Sequence, residues 1–102
     1  MISDNQVRIY GQLVEMPALR YTPAGIPLVE CVLLHESVQS EAGFSRQVNC
    51  QIDMIAAGEI AEKLVRCAVP VACTVHGFLA AKNRRNPRLV LHVQHIELDT
   101  TN

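Results

Sequence analysis

The sequence has no tryptophan and only four aromatic residues in 102, namely two tyrosines and two phenylalanines. It also has no excess of either charge, because nine Lys and Arg stand against ten Asp and Glu, for a formal net charge of -1. This balance excludes a uniformly basic nucleic-acid binder, so a site for a polyanion must come from a local cluster of charge. Hydrophobic residues make up 49% of the chain and charged residues 19%, as is typical of a folded protein.

No run of the sequence approaches the roughly 18 apolar residues that a membrane-spanning helix needs. The first six residues include an acid and lack the apolar segment of a secretory signal. We therefore expect a cytoplasmic protein with no membrane partner. Its length predicts a single domain over residues 1–102.

No C-x-x-C pair occurs among the four cysteines, Cys31, Cys50, Cys67 and Cys73. A zinc site needs clustered ligands, and a disulfide scaffold is typical of small secreted chains. The spacing therefore predicts four buried free thiols and neither a metal site nor a disulfide.

Motifs of catalysis are also missing. There is no Gly-x-Ser-x-Gly elbow, no glycine-rich phosphate loop and no pair of carboxylates suited to acid–base chemistry. His92 and His95 are three residues apart in a predicted strand, which places them on opposite faces. We expect no enzyme activity, no cofactor and no metal.

The pattern of apolar residues predicts five strands and one helix. We expect strands over 6–15, 28–38, about 47–55, 69–81 and 88–98, and a helix over 59–67. In the third strand, Val48, Cys50, Ile52 and Met54 alternate with polar residues, so they should face the core. Polar interruptions in the fifth strand indicate a β-bulge, and Gly11 in the first marks a bend or a close approach.

The remaining segments are predicted to connect these elements. Pro17, Pro23, Gly25 and Pro27 indicate a loop, residues 39–43 a hairpin connection, and residues 99–102 a frayed tail. Three strands, a helix and two more strands is the element order of an all-β, five-stranded Greek-key OB barrel with one short helix. Periodicity alone leaves other five-stranded α+β arrangements open.

The strongest local cluster of charge lies between the last two strands. Residues 82–88 hold four of the nine basic residues and no acid: Lys82, Arg84, Arg85 and Arg88. Arginine binds phosphate through two parallel hydrogen bonds, so this segment is a candidate polyanion site. The alternative is a solvated hairpin tip with no ligand.

Single-strand binders also need exposed rings on which bases stack. Phe44 follows Gly43 and precedes Arg46 by two residues, at the predicted hairpin mouth. It is the best candidate, with packing on Val38 as the alternative. Tyr21, beside Arg20, is a weaker candidate, and Phe78 is expected in the core.

Several segments together resemble the primosomal replication protein N (PriB) family, which is related to bacterial single-stranded DNA-binding proteins. They are the residue blocks 20–27 (RYTPAGIP), 34–37 (LHES), 41–47 (EAGFSRQ), 76–79 (HGFL) and 91–98 (LHVQHIEL). The resemblance implies an OB-fold homodimer that binds single-stranded DNA, contacts the PriA helicase and passes the complex to DnaT during replication restart. It also implies a DNA-binding set of Arg20, Phe44, Arg46, Lys82, Arg84, Arg85 and Arg88.

Two positions depart from the pattern of that family. Asn49 stands where some members have tryptophan, and Glu36 stands where some have arginine. One change removes a stacking ring and the other a positive charge. We therefore expect weaker binding of single-stranded DNA than in the strongest-binding members.

From the residues and the resemblance together, three functional hypotheses remain open, and an enzyme is a distant fourth. The first is a non-enzymatic DNA-binding adaptor, and the second is a protein-interaction module that mainly docks a helicase. The third is an RNA-binding OB domain, because nothing in the sequence discriminates a 2′-hydroxyl. The high apolar content and a free first-strand edge also favour a two-fold dimer.

Overall fold

The computed structural model describes residues 2–15 and 18–99, in which six strands and one helix are found. Their bounds are β1 Val7–Leu13, β2 Ala18–Tyr21, β3 Pro27–Glu41, β4 Phe44–Ala57, α1 Glu59–Val65, β5 Val71–Ala81 and β6 Leu89–Leu98. The predicted strands and helix are therefore present, with ends shifted by a few residues. No helix of the described ranges is long and apolar enough to cross a membrane.

The strands form one sheet in the order β1-β5-β6-β4-β3-β2, and a further pairing of β1 with β3 closes it. All neighbouring pairs are antiparallel except β4 with β6, which run parallel at Met54–Leu91 and Ile55–His92. Five long strands thus form a closed barrel, and the predicted OB fold is confirmed. The short β2 pairs with the first residues of β3, and its Leu19 packs against the core.

Closure of the barrel depends on a close approach at Gly11. The contact of β1 with β3 is limited to Gln12 with Leu34 and Leu13 with Leu33. A Cβ atom on Gly11 would clash with the Leu34 carbonyl oxygen and the Leu33 side chain. The predicted close approach is confirmed, and it explains why glycine is needed there.

The core fills the barrel with aliphatic side chains from every long strand and from α1. Its largest fully buried members are Leu13, Leu33, Met54, Leu64, Leu91, Val29, Val75 and Cys73. Helix α1 buries Ala61 and Leu64 against it, while Glu59 and Glu62 lie in the first turn, where the helix dipole favours acids. The helix therefore packs against the core by one narrow apolar face.

Strands β3 and β4 are longer than predicted and form a hairpin arm, which we define as residues 36–49. Strand β3 runs on to Glu41, and the connection shrinks to Ala42 and Gly43. Of the predicted core face, Met54 is buried, Ile52 and Val48 are half-buried, and Cys50 is exposed. Within the described chain every arm residue is exposed except Ser37 and Val48, which are half-buried, so no further layer covers the arm.

The segment predicted as a proline-rich loop contains a strand. Ala18–Tyr21 pairs with Pro27–Glu30, from Ala18 opposite Glu30 to Tyr21 opposite Pro27. Proline at the start of β3 is compatible with this pairing, because it lies at a strand end. Pro17 of the predicted loop lies outside the described residues.

The predicted bulge in the last strand is confirmed. His76 pairs with His95 and Gly77 with Val93, so Gln94 is the extra residue of β6. This residue inverts the alternation, and His92 and His95 therefore lie on the same outer face, contrary to the prediction of opposite faces. Phe78 is also on this face, half-buried with its ring stacked on His92 at 4.8 Å, so its predicted place in the core is wrong.

The cysteines are free, as predicted, but not all of them are buried. Cys67 and Cys73 are buried and Cys31 is half-buried, whereas Cys50, the residue after the arm on β4, is exposed. Burial raises the pKa of the Cys31 thiol and of the Cys73 thiol to about 11. Among the four cysteines, which were all predicted to be buried, Cys50 is the one that is exposed.

The predicted frayed tail is wrong at its first residue. The Asp99 N–H donates to the Ala72 carbonyl, and its carboxylate accepts a 2.8 Å hydrogen bond from the Tyr10 hydroxyl. This carboxylate is the largest cause of a raised Tyr10 pKa, because it favours the protonated phenol. Residues 100–102 of the predicted tail lie outside the described chain.

Candidate nucleic-acid interface

The basic loop, residues 82–88, is an ordered turn between β5 and β6. At its base the Lys82 N–H donates to the Arg88 carbonyl over 2.9 Å. At its tip the Asn83 side-chain oxygen accepts from the Asn86 N–H at 2.7 Å, while the Asn83 N–H donates to the Asn86 carbonyl at 3.2 Å. These bonds form a compact asparagine-bounded turn with two residues, Arg84 and Arg85, at its apex.

Arg84 and Arg85 are exposed at this apex. In the described part of the chain, neither they nor Lys82 forms a salt bridge with a carboxylate. Two guanidinium groups with free donors on a short hydrogen-bonded turn are suited to phosphate, which arginine binds as a planar fork. A turn that is already ordered also loses less conformational entropy when it binds.

The other three predicted arginines are each held by a carboxylate. Arg88 Nη2 lies 3.0 Å from an Asp53 oxygen. Arg20 Nη2 lies 3.2 Å from Glu30 Oε1, and Arg46 Nη1 lies 2.9 Å from Glu41 Oε2. Half of the six predicted cations are therefore partly neutralised in the unbound protein.

Phe44 lies at the tip of the arm, directly after the two-residue turn. Ala42 and Gly43 both have positive φ, at 51° and 82°, as a tight hairpin of this kind requires. The Phe44 side chain is 76% exposed and Val38 is 71% exposed. The strand register places Phe44 and Val38 on opposite faces of the arm, so the alternative that Phe44 packs on Val38 is wrong.

Phe44 instead shares its face of the arm with Arg46, two residues further along β4. Side chains two residues apart on a strand are separated by about 7 Å, close to the spacing of successive nucleotides in an extended strand. A stacking ring and a cation are thus presented together. Tyr21, the weaker aromatic candidate, is also exposed, on β2.

A concave cleft lies between β2, β3, β4 and the basic loop. It has a volume of about 360 Å³, and Lys82 and Arg88 line one side. Three carboxylates line it as well: Glu15, Glu30 and Asp53. No arm residue borders this cleft, so the predicted site residues form two separate groups, one at the cleft and loop and one at the arm tip.

Sequence analysis missed the carboxylate partners. Glu41 lies five residues before Arg46 across a predicted turn, a spacing that could have indicated their contact. Glu30 and Asp53 gave no such signal, because each contacts its arginine only in the folded structure. Glu30, for example, is the diagonal neighbour of Arg20 across β2 and β3.

Comparison with known proteins agrees with this geometry. Residues 5–95 match the family described as another single-strand binding protein family. Replication restart protein PriB of Nitrosomonas europaea is 42% identical over 93 residues, which are 91% of this chain and 86% of that protein. The chain belongs to the PriB family.

Solved structures support the same assignment. PriB from Ralstonia solanacearum matches this PriB-family chain with a TM-score of 0.86 at 36% identity, over 96% of this chain and 100% of that one. The single-stranded DNA binding protein from Thermus aquaticus matches with a TM-score of 0.74 at 24% identity, over 92% of this chain and 49% of that one. The second likeness shows a shared fold.

The two departures from the PriB pattern lie directly opposite each other on the arm. Glu36 of β3 pairs with Asn49 of β4, and both are exposed. Because directly paired residues point to the same face, the charge and the lost ring fall on one surface. This is the face opposite Phe44, since 49 and 44 differ by an odd number of residues.

Proposed function

We propose that this chain is a cytoplasmic, non-enzymatic component of replication restart that binds single-stranded DNA. The observation that carries the proposal is that Arg84 and Arg85, at the apex of a hydrogen-bonded turn, form no salt bridge with any described residue. Membership of the PriB family and the OB fold support it.

The mechanism is electrostatic capture followed by stacking. Lys82, Arg84 and Arg85 neutralise phosphates and release the counterions that these phosphates condense, which gives affinity without dependence on base sequence. Phe44 then offers its exposed ring to a base, while Arg46 faces the adjoining phosphate. Because no residue set is arranged against base edges, the proposal implies little preference among sequences.

The proposal includes a two-fold homodimer through β1. Strand β1 is paired along its length with β5, yet it pairs with β3 only at Gln12 and Leu13. The Tyr10 carbonyl oxygen lies 2.7 Å from His35 Nδ1, so the edge that a second copy of β1 would pair antiparallel is that of residues 7–9. Two basic loops on one particle raise the avidity for a strand that reaches both.

Contacts with the PriA helicase and with DnaT complete the proposed role. They rest on the family resemblance, and the name of the relatives, replication restart protein PriB, supports a place in that process. Charge reversal of Arg84 and Arg85 tests whether one surface serves both functions. Loss of DNA binding with retained helicase binding would assign the two functions to different surfaces.

The experiment that tests the proposal is fluorescence anisotropy of a labelled oligo-dT over a salt series, with duplex DNA and a matched RNA oligomer as competitors. We expect a slope of log affinity against log salt of about -2 to -4, since each neutralised phosphate contributes about -0.7. The Arg84→Gln/Arg85→Gln variant should reduce both affinity and slope.

A charge-matched control separates this loop from net charge. Lys63→Gln/Arg66→Gln removes two exposed cations from α1 and its end, and it should leave the slope unchanged. Equal loss in both variants would show that only overall charge matters. No binding at low salt by the folded protein would refute DNA binding and favour an adaptor that works through its protein partners.

A further inference from the structure

Every predicted DNA-binding arginine outside the loop apex has a carboxylate in contact with it. The three pairs are Arg20 with Glu30, Arg46 with Glu41 and Arg88 with Asp53, at 3.2, 2.9 and 3.0 Å. Each acid lies on β3 or β4, the two strands that form the arm and one wall of the cleft.

Strand register holds two of these pairs in place. Arg20 is opposite Leu28, so Glu30 is its diagonal neighbour on the same face. Arg46 is opposite Gln39, and Glu41 is again the diagonal neighbour. Diagonal neighbours on one face lie within reach of long side chains, so both contacts follow from the pairing of the strands.

We propose that Glu30, Glu41 and Asp53 set the affinity for single-stranded DNA by occupying Arg20, Arg46 and Arg88 in the unbound protein. The inference rests on the proposed function and deepens it. A phosphate that approaches a paired guanidinium meets the carboxylate as well, and the two negative charges repel. The loop apex is therefore the main site of capture, and the three acids limit how many further phosphates bind.

The pairs are weak enough to be displaced. All six side chains are between about two fifths and two thirds exposed. Exposed ion pairs of this kind correspond to a factor of about 1.4 to 5 in an equilibrium constant, and salt screens them. The acids thus reduce affinity in a graded manner and do not block the site.

The Glu41–Arg46 pair gives the sharpest test, because both residues lie at the exposed end of the arm and away from the core. Glu41→Gln keeps the size of the side chain and removes its charge. We expect oligo-dT to bind about two- to fivefold more tightly at low salt, with a salt slope steeper by about 0.7 for the one additional phosphate. The thermal midpoint should change little.

A double-mutant cycle isolates the pair. In an Arg46→Gln background, Glu41→Gln should no longer change the salt slope, because there is no Arg46 guanidinium to release from its pair with Glu41. Glu36→Gln is the matched control, since it removes the same charge from β3 of the same arm, and Glu36 forms no salt bridge with any described residue. It should not steepen the slope.

Two results would overturn the inference. One is an equal change of slope in Glu36→Gln and Glu41→Gln, and the other is an effect of Glu41→Gln that persists without Arg46. Failure of the proposed function looks different, because neither wild type nor Glu41→Gln would then bind oligo-dT. If Arg84→Gln/Arg85→Gln still binds while Glu41→Gln tightens binding, the inference stands and the loop is not the main site.

Discussion

Phe44 at the arm tip and Cys50 on the same strand are both exposed, so neither follows the burial that alternation along the strand predicts. Phe44 and Cys50 both lie in the first half of β4, where nearly every residue is exposed. An apolar residue on a strand is buried only where another layer packs on that face. At the residue scale, function and reactivity therefore follow from position along β4.

Phe44→Ala should weaken the binding of oligo-dT by about 5- to 150-fold. The reason is the loss of one stacking platform, which contributes about 1–3 kcal/mol per base. Stability should stay within about 0.5 kcal/mol of wild type, because the side chain is 76% exposed. Anisotropy and urea unfolding measure the two effects. Val38→Ala on the opposite face of the arm is the control, and a similar loss in both variants would contradict a specific role for Phe44.

One thiol in four should react rapidly with Ellman's reagent at pH 7.5, and it should be Cys50. Burial raises the pKa of Cys31 and of Cys73 to about 11, so well under about 0.1% of either is thiolate at that pH. The rapid phase should disappear in Cys50→Ser. The slow phase should accelerate as the pH rises toward 11, and any rapid thiol that remains in Cys50→Ser would contradict the burial of the other cysteines.

At the scale of elements, the bulge in β6 decides which side chains share the outer face of β5 and β6. Gln94 is inserted between Val93 and His95, opposite the step from His76 to Gly77. Gly77 lies against the backbone there, because a Cβ on it would clash with the His92 carbonyl. The bulge and the glycine together allow β5 and β6 to approach closely at this point.

Gly77→Ala should therefore destabilise the protein by about 1–3 kcal/mol, since the clashing atoms belong to the backbone of β6 and cannot rotate away. Chemical denaturation should show a lower midpoint with an unchanged slope. Thr74→Ala, on the same strand, is the control and should cost much less. If Gly77→Ala has the same denaturation midpoint as wild type, β6 moves to accommodate the added methyl group without loss of stability.

For the whole molecule, the free part of the β1 edge predicts an assembly of two chains. The chain of 11.3 kDa should sediment with twice that mass at micromolar concentration, because the edge of residues 7–9 that faces away from β5 pairs with no described strand. The midpoint of urea unfolding should rise with protein concentration, as for any folded dimer. The dimer would be refuted if the protein sediments as a monomer and its unfolding midpoint does not depend on protein concentration. The expected salt slope of DNA binding would then be about half as large.

How much of this could be predicted from the sequence differs between the barrel and the site. The core strands, α1, Gly11 and the bulge were predicted from local patterns. Apolar residues recur at every second position in the strands and with a period of 3.6 in the helix, and a lone glycine marks the close contact in β1. The strand Ala18–Tyr21 was missed, since proline-rich flanks hide a short edge strand. The core place assigned to Phe78 was wrong because this residue falls between Gly77 and Leu79, which face the core, and therefore points outward, where its ring stacks on His92.

The sequence by itself determined the fold class and the presence of a basic loop, because apolar periodicity and the clustering of Lys82, Arg84, Arg85 and Arg88 are properties of neighbouring residues. Only the tertiary structure decided which cations are free. Arg88 meets Asp53, and Arg20 meets Glu30, through contacts between separate strands. Electrostatic pairing depends on distance in space, and residues far apart in the chain come within 3–4 Å only once the strands have paired.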